Sequence, residues 1–136
     1  LKVKLLAEGE YQIVGIMEGD SCPAEDFLTV GDATTAAARM GLVQMLDVLA
    51  ESGWQNVPAK WSHEASKQLQ ILEFIKGPLR LFFFKGQGRQ IAVCTGGVRK
   101  TGAKANKAAV KHASERRKIY FDAVESNQLE VVDEEA

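Results

Sequence analysis

The chain has 136 residues, 46% of them apolar and 26% charged, with a formal net charge of −1. These values fit one soluble globular domain with a hydrophobic core of its own, and no apolar run approaches the ~20 residues that a membrane-spanning helix needs. The first six residues alternate in polarity and are too short for the apolar stretch of a signal peptide, so the expected location is the cytoplasm, with no membrane partner.

Residues 2–6 and 11–17 read as two strands joined through Ala7-Glu8-Gly9-Glu10, a hairpin signal. Gly19-Asp20-Ser21 and Pro23 break the chain, and residues 24–28 suffice for one helical turn. Asp32 has the chemistry of an N-cap. Beyond it Ala38, Leu42, Met45, Leu46 and Leu49 recur at helical spacing as far as Gly53, which suits the position after a helix end. Residues 54–66 are turn-rich or irregular around Pro58, with room for a short helix through Trp61.

The period then changes. Residues 68–75 read as a strand, Lys76-Gly77-Pro78 as a turn, and residues 79–85 (LRLFFFK) as a second strand. Leu79, Leu81 and Phe83 fall on one face of it and Phe82 and Phe84 on the other, so it should be internal to a sheet. Gly86-Gln87-Gly88 makes a hairpin loop, residues 89–95 return antiparallel, and Gly96-Gly97 ends or kinks that strand. From Ala103 to about Val124 the pattern is helical. Residues 125–136 form an acidic tail expected to fray. Two strands alone are marginal in water, so the N-terminal hairpin (1–18) should join the same sheet within a single domain, 1–136.

Cys22 and Cys94 match no metal or redox spacing and read as two free thiols. His63 and His112 have no partner at ligand spacing, so neither a metal nor another cofactor is expected.

The small net charge conceals a split. Residues 76–121 hold twelve Lys and Arg against one acid, Glu115, a net +11; the rest holds five against seventeen, a net −12. Such a field is the footprint of a protein that meets a polyanion on one face. On the last helix Lys104, Lys107, Lys111 and Lys118 lie within roughly 60° of one another at about 100° per residue. Ala109, Val110, Ala113, Tyr120 and Phe121 lie on the other side and should pack on the sheet. A merely solvated lysine face normally carries Glu at i±4, and here only Glu115 intrudes, which favours a nucleic-acid contact.

The run from Leu72 to Tyr120 resembles the RelE/ParE/HigB superfamily of toxins from type II toxin–antitoxin modules, especially its phage-derived branch. The likeness lies in Glu73-Phe74 near a strand end, Arg80 inside an aromatic strand, a hairpin strand ending in Arg99-Lys100-Thr101, and a Lys-rich helix closing on Arg116-Arg117-Lys118-Ile119-Tyr120. It covers about a third of the chain well, and the hairpin at residues 1–18 lies outside the minimal pattern. The resemblance implies an α+β fold: a small twisted antiparallel sheet with helices packed on one face. It also implies a ribosome-dependent mRNA endonuclease without cofactor or metal, held inactive by a cognate antitoxin, with the ribosome and mRNA as its other partners.

In such an enzyme a ribose 2′-hydroxyl attacks its own phosphodiester, and fixed cations stabilise the charge that builds on the phosphate oxygens. The resemblance puts Arg80 first in that role, with Arg99 and Lys100 converging on the same phosphate. Lys76, Lys104, Lys107 and Lys111 would hold RNA. A structural alternative has the Arg80 stem packing on the sheet and its head pairing with Glu73. The sequence departs from the family where Gly102 to Asn106 offers neither the Tyr nor the His often found after the basic strand end. The general base stays open between Glu73 and Lys100. The alternatives are a gyrase-directed toxin or a nucleic-acid-binding accessory protein, and an unrelated α+β interaction domain.

Overall fold

Strands that are apolar on both faces occupy the middle of the molecule, and they require cover on both sides of the sheet. The computed structural model describes residues 1–100 and 103–133, apart from the side chains of 103–105. The chain runs β1 (Lys2–Glu8), β2 (Gln12–Ile16), α1 (Pro23–Thr29), α2 (Ala36–Ser52), β3 (Ser62–Ser66), β4 (Ile71–Lys76), β5 (Leu79–Phe84), β6 (Gln90–Arg99), α3 (Ala103–Glu125) and β7 (Glu130–Val132). The strands form one twisted sheet of order β3-β4-β5-β6-β2-β1-β7.

As expected, β4, β5 and β6 are consecutive antiparallel strands with β5 internal. The N-terminal hairpin joins the same sheet, but it does so through β2, whose Ile13 to Ile16 are all buried, and it lies parallel to β6. β7 also pairs in parallel, with β1. The expected antiparallel sheet is therefore corrected to a mixed one. A strand buried on both faces needs a neighbour on each edge, and β6 supplies the one that β1 does not.

The expectation of helices on one face is corrected as well. α1 and α2 cover one face, where Leu28, Leu42 and Leu49 pack on Phe74, Leu81 and Phe83. α3 covers the other, where Ala113 and Tyr120 pack on Val14, Phe82 and Phe84. Both Phe82 and Phe83 are 1% exposed or less, so neither face of β5 tolerates solvent. Rings of Trp54, Phe74 and Phe83 stack on the first face, with Phe74 and Phe83 centroids 4.2 Å apart.

Local signals behave as their chemistry dictates. Asp32 caps a 3-10 turn (Ala33–Thr35) by accepting from the Thr34 N–H, and this turn runs straight into α2. Gly53 ends α2 at φ 80°, a conformation that glycine adopts without strain. Within residues 54–66 a 3-10 helix (Ala59–Trp61) matches the short helix allowed through Trp61, and β3 emerges where irregular chain was expected. The supposed frayed tail contributes β7, and residues 134–136 lie outside the described part. Among the described residues no helix is long and apolar enough to cross a membrane.

Candidate nucleic-acid interface

The twelve cations of the basic block do not form one surface. Lys85 lies over the Trp54 ring, 5.3 Å from its centroid. Arg89 donates to the Gly9 and Glu10 carbonyls and pins the β1–β2 hairpin to the β5–β6 connection. Arg116 stands 3.6 Å from Glu18, and Arg117 donates to Gln70 Oε1 while its guanidinium sits 5.0 Å from the Phe121 centroid. These four hold the fold together.

Arg80 rises on the α3 face, opposite Ile75 and Val98. Its Nη1 donates to the Gly77 and Leu79 carbonyls at 2.9 and 3.0 Å, so the head folds back onto the β4–β5 turn. It does not pair with Glu73, whose buried Oε1 has no hydrogen-bond partner among the described residues. Arg99 lies on the other face, opposite Leu79, with Nη1 3.8 Å from Asp32 Oδ2. Asp32 is held below the ordinary carboxyl range, first by the Thr34 hydroxyl and to a smaller degree by Arg99.

The cause of this separation is a bulge. Phe83 pairs with Cys94 but Phe82 pairs with Gly96, which leaves Thr95 as an extra residue and Gly96 at φ 152°. One inserted residue exchanges the faces of everything beyond it. Unbulged alternation would have put Arg99 on the same face as Arg80. Convergence of Arg99 with Arg80 on a single phosphate is thus corrected, while Lys100, two residues beyond Val98, stays on the Arg80 face.

Lys76 stands apart from α3 as well. It lies on the α2 face with its stem against Gly41, where even a single added methyl carbon would come within 2.6 Å of Lys76 Cε. Lys76 lines a cavity of about 410 Å³ with Lys60 and Trp61, across the sheet from α3. The Lys104 side chain lies outside the described residues.

What the fold does bring together is Lys100, Lys107 and Lys111. They line one cavity of about 500 Å³ between α3 and the β3–β4 connection, with Asn106, Ser66 and Leu69 and no acid among the lining residues. Lys100 is fixed at the base of this group because its N–H donates to the Pro78 carbonyl at 2.7 Å, extending the β5–β6 ladder by one step. Lys107 and Lys111 are one helical turn apart and exposed, as is Lys118 further along the same face. Opposite them Tyr120 is wholly buried. Its hydroxyl donates to Gln90 Oε1 and accepts from the Gln87 N–H at 3.1 Å, which sets the rotation of α3 on the sheet.

One pair was not legible in the sequence. His112 Nε2 donates to Glu18 Oε2 at 2.6 Å, across 94 residues, since an ionised carboxylate can only accept. Among the described residues no group of three His, Cys, Asp or Glu could hold a metal ion. No protein-family model, curated protein or solved structure matches the chain.

Proposed function

We propose that the protein binds RNA through the cavity-lining face of α3, with Lys100, Lys107 and Lys111 contacting phosphates. The observation that carries this reading is the convergence of three lysines on one cavity with no acid in its lining, while Lys85, Arg89, Arg116 and Arg117 are engaged in the fold. Phosphate affinity arises mostly from release of condensed counterions, which needs cations in reach rather than a catalytic constellation.

The likeness to RelE/ParE/HigB toxins supplies a setting: ribosome-bound mRNA as target and a cognate antitoxin as protein partner. The expected catalytic arrangement had Arg80 and Arg99 on one phosphate, and they stand on opposite faces of the sheet. Binding without cleavage, the accessory-protein alternative, is therefore favoured over the endonuclease.

The test is a salt titration with a labelled single-stranded RNA, using the wild type and a Lys100→Ala, Lys107→Ala, Lys111→Ala variant. The wild type should lose affinity linearly in log–log terms as salt rises. The variant should bind more weakly, with a slope flatter by roughly 2, about 0.7 for each single-strand phosphate that is no longer neutralised. An unchanged slope, or a wild type that fails to bind at low salt, would overturn the reading.

A further inference from the structure

β2 and β6 lie side by side and parallel, yet the chain leaves them in opposite directions. After β2 it turns to α1 on one face, and after β6 it turns to α3 on the other. Neighbouring parallel strands whose connections diverge leave a crevice at their carboxyl ends, as at the ligand sites of open parallel α/β sheets. A cavity of about 740 Å³ occupies that place, within the range of small-ligand sites.

Its lining has the parts that recognise a planar, amine-bearing ring. The half-buried Phe27 ring lies against Gly97, where an added Cβ would come within 2.4 Å of it; only glycine fits there. Lys100 N–H donates to the Pro78 carbonyl, so 80↔98 and 82↔96 are the other hydrogen-bonded pairs of this ladder. The Gly97 N–H and C=O then point to the opposite edge, which β2, ending its pairing at Cys94, no longer covers. They offer one donor and one acceptor side by side. Carboxylates of Glu18 and Asp26 stand among the lining residues, and Glu18 has one oxygen beyond that held by His112.

We infer that this crevice takes an unstacked nucleobase bearing an exocyclic amine, and that it discriminates against uracil. The inference rests on the RNA-binding reading above. It adds the part of the ligand that is read rather than merely held. Single-stranded RNA is recognised by stacking a splayed base on an aromatic ring and hydrogen-bonding its edge. Adenine, cytosine and guanine present an amine that a carboxylate accepts, and uracil presents none. α3 links the two regions. Lys107 and Lys111 directly precede Ala108 and His112, which line the crevice, so the phosphate-binding and base-binding groups sit on adjoining faces of one helix.

The experiment compares labelled oligo-rA, oligo-rC and oligo-rU of about twelve nucleotides at one salt concentration. The rA and rC oligomers should bind the wild type at least about fivefold more tightly than rU. Ala108→Trp, at an exposed lining position, should fill the crevice and bring all three to the rU level; Asp26→Ala should narrow the gap. As a measurement independent of any variant's folding, AMP should shift the Gly97 amide resonance of the wild type and UMP should not. Equal binding of the three oligomers that still depends on the lysines would overturn the crevice and leave the binding reading standing. A preference untouched by Ala108→Trp would overturn it also, and no binding of any oligomer would overturn both.

Discussion

Arg80 and Arg99 are one register step apart on adjacent strands, yet their side chains leave the sheet on opposite faces. Arg80 stands across from Val98 and Arg99 across from Leu79, so a two-residue window holds one cation for each side. The Thr95 bulge produces this split. It also turns the Gly97 N–H and C=O toward the edge that β2 leaves uncovered past Cys94.

Replacing Arg80 by Ala should affect stability rather than RNA affinity. Two hydrogen bonds to turn carbonyls disappear, which costs about 1 kcal/mol and roughly 4 °C in Tm. Thermal melts and RNA titrations on the same preparation decide the matter. A large drop in RNA affinity with an unchanged Tm would return Arg80 to the functional site.

Lys76 and Lys107 should behave differently although both belong to the basic block. Lys107→Ala should weaken RNA binding and flatten its salt dependence by roughly 0.7. Lys76→Ala should leave both unchanged, because the side chain lies along α2 on the far face. Equal effects of the two substitutions would mean that RNA wraps both faces.

Tyr120→Phe deletes a hydroxyl that serves Gln90 and the Gln87 N–H in a buried setting. Leaving those groups unmet should cost about 1–3 kcal/mol, with faster hydrogen exchange concentrated at the 86–89 loop. Urea denaturation of the two proteins would show it. An unchanged midpoint would mean that water replaces the phenol at no cost.

The Asp32 carboxyl has a folded pKa below its ordinary 3.8, chiefly through the Thr34 hydroxyl. A depressed carboxyl stabilises the fold above its unfolded pKa, and the contribution fades as pH falls through the folded one. Asp32→Ala should therefore be less stable than wild type at neutral pH, with the gap closing as pH falls below the ordinary carboxyl range. A gap that stays constant throughout would assign the effect to the backbone of the turn instead.

Cys94 is fully buried, and burial pushes its thiol well above the usual range, with Cys22 raised for the same reason. Thiolate is the reactive form, so neither cysteine should react with a disulfide reagent at mildly alkaline pH until denaturant is added. Prompt labelling of the native protein would show that the sheet opens locally around β6.

Much of the fold was legible because its signals are local. Alternation in 79–85, the glycine turn at 86–88, the Asp32 cap and the glycine at 53 each act within a few residues. β3 escaped notice because Ser62-His63-Glu64-Ala65-Ser66 is a largely polar edge strand with no face to alternate, and β7 because three residues within an acidic run make a weak pattern. The parallel pairing of β2 with β6 has no local signature. Its cause is the burial of both β2 faces against elements far along the chain. For the site, the lysine face of α3 followed from helical geometry. The sides taken by Arg99 and Lys76 did not, since one depends on a bulge and the other on which face α2 covers.

Val14 meets Val93 in the pairing that joins the two parts of the sheet. During synthesis roughly eighty residues must follow β2 before its partner exists, and a lone hairpin does not persist in water. One edge of β2 must therefore wait, with its apolar faces uncovered, until β6 has been made. A slow codon run or a chaperone acting before that point would change the yield of folded protein, whereas the same delay after β6 would not.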